Sequence, residues 1–365
     1  MKNNRPVLVR ACLCLLILAM VFVFSACDTP AAASVEPSPS AAATPAVTAT
    51  PTATATVTPE PTPSATADST ISPLTGLKYS GKYQPVAVMV NNNKDCWPQT
   101  GLQAADVVYE IIVEGGITRF LAIYNDTLPE EVGSVRSARV SAVDMWQEWQ
   151  CIYIHWGGEG DMRGKEHVVL NSFKTANIQI RVDGMDKNPY TFRAKKGYAP
   201  NNSRANIAKV VELYEKKKYT PPVHTTVFDP QADLSAWKPM STLSVPYGYP
   251  VKYQWDAATA SYLRFANKKP TVDAATDKQV SVKNLIVMFM PHRTLKDNEH
   301  HVVLDNVGTG KAIFCRDGKY IEGTWEKATK QSPAVYKDKK GNPIVFTPGN
   351  TWISVVKTGF KVTVK

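Results

Sequence analysis

The sequence predicts a mixed α+β protein in two parts: an α/β-layered N-terminal portion over residues 72–225 and a β-rich C-terminal portion over residues 226–365. Three observations carry this expectation. Between Pro85 and Tyr214, strand-like and helix-like apolar patterns interleave, as layered folds require. After residue 225 nearly every apolar run has strand length and meets a turn pair such as Asp317-Gly318 or Gly341-Asn342. Before residue 72 the composition cannot supply a core.

That first stretch has two pieces. Lys2, Arg5 and Arg10 precede the apolar run Ala11 to Phe24, the layout of an export signal and too short to span a bilayer comfortably. The run ends Phe24-Ser25-Ala26-Cys27, which resembles the lipobox of bacterial lipoproteins; the resemblance implies a leader of residues 1–26 and a lipid on Cys27. Residues 28–70 are mostly Ala, Thr, Pro and Ser, without Lys or Arg, and cannot offset the entropy of ordering. They read as a tether reaching about 130 Å if polyproline-like, or about 35 Å root-mean-square as a flexible coil.

In the N-terminal portion, Pro85 to Val90 reads as a strand and Asn91 opens a loop. Asp106 to Glu114 and Ile117 to Tyr124 flank Gly115-Gly116, the signature of a two-residue hairpin. That register would set Ile112 opposite Arg119 and bring Glu110, Glu114 and Arg119 to one face. Val140 to Gln150 is helical by the spacing of Val140, Val143, Trp146 and Trp149. Cys151 to Trp156 is a strand carrying His155, followed by the loop Gly157-Gly158-Glu159-Gly160. Asp161 to Leu170 reads as a short helix and Ile178 to Val182 as a strand. Ser203 to Tyr214 is the clearest helix, capped by Ser203 or Asn202. The C-terminal portion offers strands at Tyr249 to Trp255, Ser261 to Phe265, Val282 to Met290, Ile313 to Cys315, Tyr320 to Glu322 and Thr351 to Val356.

The formal charge is +10, and the leader carries three of the cations. A basic exported chain is drawn to anionic lipid head groups or wall polymers, although Lys216 to Lys218 and Lys337 to Lys340 read as solvated runs. Nucleic acid is excluded by the modest charge, the export address and the lack of a reading module. Cys96, Cys151 and Cys315 cannot form a full disulfide framework; Cys151 and Cys315 read as core residues and Cys96 as a loop residue.

Two chemistries compete for the central stretch. Arg119, Arg136 and Arg139, with Asn91 and the amides of Gly157 and Gly158, could grip an anion, since guanidinium forks match carboxylate and phosphate. The plainer alternative has Arg119 and Arg136 neutralising Glu110 and Glu114. An enzyme would use His155 with Glu114, Glu159 or Asp161 as its carboxylate, but no nucleophile motif accompanies them. His292, His300 and His301 lack metal-ligand spacing, and the sequence leads us to expect neither metal nor cofactor. A protein-interaction scaffold without a small ligand is the third reading.

Pro73-Leu74-Thr75-Gly76-Leu77, Val86 to Asn92, Pro98-Gln99-Thr100-Gly101-Leu102, Ala105 to Glu110, Glu114 to Arg119 and Gly133 to Arg139 resemble the YerB-like lipoproteins. Gly323-Thr324-Trp325 and Pro348 to Ile353 extend the resemblance to the C-terminal portion. It implies a two-part architecture and a lipid anchor, and no activity, because the family's function is unknown. The family pattern has Gly-Gly-Ser after the strand histidine and Pro-His-Asn before the clear helix. Here these are Gly157-Gly158-Glu159 and Pro200-Asn201-Asn202, so a mechanism needing that second histidine as base lacks it in this chain.

Overall fold

A computed structural model describes residues 70–158, 168–297 and 299–365. The leader, Cys27 and most of the tether, together with Glu159 and Asp161, lie outside the described residues. The N-terminal half supplies β1 (Val86–Asn91), β2 (Val107–Ile112), β3 (Thr118–Tyr124), β4 (Ile152–His155) and β5 (Arg181–Asp183). The C-terminal half supplies β6 (Thr242–Val245), β7 (Val251–Asp256), β8 (Ser261–Ala266), β9 (Asn284–Met290), β10 (Gly308–Arg316), β11 (Lys319–Lys327), β12 (Val335–Asp338), β13 (Thr351–Lys357) and β14 (Thr363–Val364).

The central sheet draws on both halves in the order β12-β11-β10-β9-β13-β2-β3-β1-β4-β5. β13 runs parallel to both β9 and β2, pairing Ile286 with Ile353 and Tyr109 with Ile353. β1 is buried along its whole length, which a strand covered on both faces requires. One face carries Ala87, Met89, Tyr109, Leu121 and Tyr153 and is covered by α1 (Val140–Trp146) and α2 (Val168–Thr175). The other carries Val88, Phe120, Ala122 and Ile154. It is covered by α3 (Ile207–Val210), α4 (Glu212–Lys217) and a second sheet containing β8-β7-β6-β14.

The fold is β-rich, and the N-terminal half is itself strand-rich, with short helices. Several local expectations change. The glycine hairpin is closed by three residues, because the Val113 N–H donates to the Ile117 carbonyl at 2.9 Å. Ile112 therefore faces Thr118, Ile111 faces Arg119 and Glu110 faces Phe120. A one-residue slip moves side chains to the opposite face, so Glu110 and Arg119 lie on opposite sides of the sheet. The expected helix at Ser203 begins late. Ser203–Ala205 pairs as a strand, and Asn206 caps α3 by accepting the Lys209 N–H at 2.8 Å. α1 stops at Trp146, short of the Gln150 expected, and β5 starts at Arg181 rather than Ile178. No helix of the described residues is long and apolar enough to cross a membrane.

Candidate anion-binding site

Arg119, Asn91 and His155 lie on the helix-covered face, at neighbouring ends of β3, β1 and β4. Asn91 pairs directly with Arg119, and Tyr153, two residues before His155, pairs with Ala87. The segment entering α1 closes over them: the Arg136 N–H donates to the Met89 carbonyl at 2.8 Å and the Trp156 N–H to the Arg136 carbonyl at 2.9 Å. Thus β1 and β4 hold Arg136 beside Arg119.

Arg119 is 9% exposed. Its Nη1 donates to the Ser137 carbonyl, while its Nε has no hydrogen-bond partner among the described residues. Burial, then the like charge of Arg139, pushes its pKa down to about 9; Glu114 opposes this, and Arg136 adds a smaller push in the same direction as Arg139. Arg139 meets Glu114 Oε2 at 2.6 Å, and Arg136 donates to Asn201 Oδ1 at 2.9 Å. Three guanidinium groups therefore converge, and among the described residues one carboxylate, Glu114, is in contact with them. Glu110 takes no part. It is fully buried on the other face, where Arg264 Nη2 donates to both of its oxygens, at 2.9 and 3.0 Å. The expected neutralisation of Glu110 by Arg119 or Arg136 is replaced by this distant partner.

Asn91 donates from Nδ2 to Cys96 Sγ at 2.8 Å, and Cys96 donates to Asn201 Oδ1 at 3.1 Å, so both join the Arg136 cluster. Cys96 lies in a short turn and is buried; burial raises its thiol pKa. Gly157 sits beside this group with its carbonyl accepting the Ala138 N–H at 3.0 Å. Its own N–H donates to Asp183 Oδ1 at 2.8 Å and so is not free for a ligand. Gly158 packs against Ala138, where an added Cβ would meet the Ala138 methyl at 3.2 Å.

His155 is 1% exposed. Nδ1 donates to the Gly157 carbonyl at 2.6 Å, and Nε2 accepts from Arg181 Nη1 at 3.0 Å. Burial lowers its pKa, Asp183 at 3.8 Å opposing, and the two bonds fix the neutral tautomer protonated at Nδ1. Both ring nitrogens are therefore engaged inside the protein, and Glu114 is engaged by Arg139. Glu159 and Asp161, the other proposed carboxylates, lie outside the described residues.

Sequence reasoning missed Asn201 as a ligand of Arg136 and missed Arg193. The Arg193 guanidinium stacks 4.2 Å over the Trp156 ring, and its pKa is lowered by partial burial and by Arg136. The departure at Asn201 from the family's histidine was the one available signal.

Residues 74–220 match the N-terminal domain, and residues 243–353 the C-terminal domain, of the protein family of unknown function DUF3048. The chain belongs to this family. It is 31% identical over 301 residues, 80% of its length and 87% of the relative's, to the Bacillus subtilis (strain 168) protein named "Putative lipoprotein YerB". It also resembles the crystal structure of YerB from Bacillus subtilis, with a TM-score of 0.69 and 28% identity over 81% of this chain and 99% of that one. Family membership supports a lipoprotein of unknown function.

Proposed function

We propose that this chain is an extracytoplasmic lipoprotein, held on the membrane through a lipid on Cys27, whose N-terminal portion, residues 72–225, binds an anionic component of the cell envelope. The C-terminal portion, residues 226–365, would support that face. The observation that carries the reading is the Arg119 guanidinium, buried, flanked by Arg136 and Arg139, and with its Nε unpartnered among the described residues, of which one carboxylate, Glu114 on Arg139, contacts the three arginines. A buried cation facing like charges is costly, and such a cost is kept where a ligand supplies the missing charge. Arginine forks suit planar carboxylate or tetrahedral phosphate oxygens, and the half-buried Arg136 offers the way in. The tether would let this face range over the envelope near the anchor.

The test is thermal unfolding across a panel of anionic envelope components, for wild type and Arg136→Ala. A component at a hundredfold excess over its Kd should add about 2.7 kcal/mol of stability in the wild type, and the variant should lose that gain. If no component shifts the wild type and Arg136→Ala alone unfolds the protein, the arginines are structural and the reading fails.

A further inference from the structure

In an antiparallel sheet with one covered face, outward positions should be polar. The second sheet breaks this rule at Leu263 and Phe265 of β8. Tyr262, Arg264 and Ala266 of β8 are buried inward, whereas Phe265 is half-buried and belongs to neither hydrophobic core. The register explains what surrounds it. Phe265 pairs with Lys252, Lys252 with Ser244, and Ser244 with Thr363, so a row crosses β8, β7, β6 and β14 on the outer face. These four residues line a groove of about 350 Å³, walled by Pro246 and Pro250 and rimmed by Lys268 and Lys361.

The charges in this groove are unbalanced. Among the described residues, three lysines line it and no carboxylate does. A second groove, near Lys339, contrasts: its lining includes Glu322 and Asp338, and Lys339 is paired with Glu322. The Lys252 ammonium lies 4.5 Å over the Phe265 ring, leaving the rest of the groove to an incoming group. Phe265 thus lies outside both cores with three lysines around it, so the groove offers an apolar wall and positive charge together.

We infer that this groove is a second binding site, separate from the arginine face, for a phosphate-bearing polyol or sugar. The ammonium groups take the phosphates as compact point charges, and Phe265 with the two prolines takes the C–H faces of the carbon skeleton. No arginine lines the groove among the described residues, so a phosphate would be held by ammonium point charges and not by two-pronged guanidinium contacts. Such phosphate could come from a soluble polymer or from a lipid head group.

The experiment titrates the full-length chain, in neutral detergent, with a fluorescent glycerol phosphate oligomer at low and high salt, and in parallel with free glycerophosphoglycerol, the head group of phosphatidylglycerol. Binding that weakens with salt is expected for at least one probe. The oligomer alone identifies a soluble polymer, and the glycerophosphoglycerol alone a head group. Phe265→Ser, which leaves net charge unchanged, should weaken binding at least tenfold, and Lys252→Gln with Lys361→Gln should do the same with a shallower salt dependence. Lys339→Gln, which removes a cation outside both sites, should bind the probe like wild type. Binding to neither probe, wild-type binding by Phe265→Ser, or loss through Lys339→Gln in place of the groove variants would overturn the proposal.

Discussion

Glu110 shows how one side chain is fixed by partners that its neighbourhood in sequence does not contain. Besides Arg264, it accepts from Thr118 at 2.9 Å, from the Trp352 indole at 3.1 Å and from Asn92 at 3.3 Å. Arg264 is itself fully buried, so its charge has nowhere else to go. Glu110→Ala should cost roughly 3–5 kcal/mol in urea unfolding, and replacing Glu110 and Arg264 together by Met should recover most of it. Equal losses in the single and double variants would show that the pair itself stabilises. His224 makes a second residue-scale prediction. Its ring stacks on Trp149 at 4.0 Å, and neither nitrogen has a partner among the described residues. Burial lowers its pKa below 6.5, Glu148 opposing. The unfolded chain therefore binds the proton more readily. The stability due to a neutral His224 is complete above pH 6.5 and is lost as pH falls through the folded value. Asp106, raised to about 8 by burial and then by Asp126, works in the opposite sense. Hence the difference between wild type and His224→Phe is what should be measured: the variant's thermal midpoint should fall less from pH 7 to 5.

The hairpin of β2 and β3 separates what a sequence states locally from what it leaves open. Both strands and the Gly115-Gly116 turn are legible, because β-branched runs around paired glycines have few alternatives. The loop length is not legible, since Glu114 can end the strand or enter the turn at similar cost. It enters the turn, and this placed Glu110 and Arg119 on the wrong faces in the sequence reading while leaving Glu114 within reach of Arg139. Asn91, Arg119, Arg136 and Arg139 were legible as a group because three of them lie near strand ends or a helix start. Asn201 and Arg193 come from a later segment that folds back over them, and no local pattern announces such a return. Gly116 has φ +72°, and a Cβ there meets nothing within 4 Å, so any penalty is conformational. Gly116→Ala should cost about 1 kcal/mol in the urea midpoint. An unchanged midpoint would mean that the loop relaxes to another turn.

At the scale of the molecule, hairpins were the readable part of the C-terminal half. Asp317 and Gly318 have φ values of 49° and 70°, which the tight turn between β10 and β11 needs. The pairing of β2 with β13 was unreadable: it is parallel and joins residues about as far apart as Glu110 and Trp352, 242 positions. Apart from Glu110 in β2 and Ser354 in β13, both strands carry apolar residues on both faces, the pattern of strands covered on both sides, and such runs do not name their neighbours. The consequence is energetic as well as topological. Without β13, β2 would present an unpaired edge and Glu110 would lose Trp352; without the second sheet, Glu110 would lose Arg264 as well. Lys327 on β11 reaches Glu148 beyond α1 at 2.6 Å, with both side chains buried, so the helix-covered face is tied across the halves too. Neither half has its buried charges satisfied alone. Residues 70–365 should therefore unfold in one calorimetric transition, with calorimetric and van't Hoff enthalpies equal, and residues 70–225 expressed alone should lack a cooperative transition. Two resolved transitions, or a cooperatively folding 70–225 fragment, would mean that the β2–β13 seam contributes little and that the two halves fold as separate units.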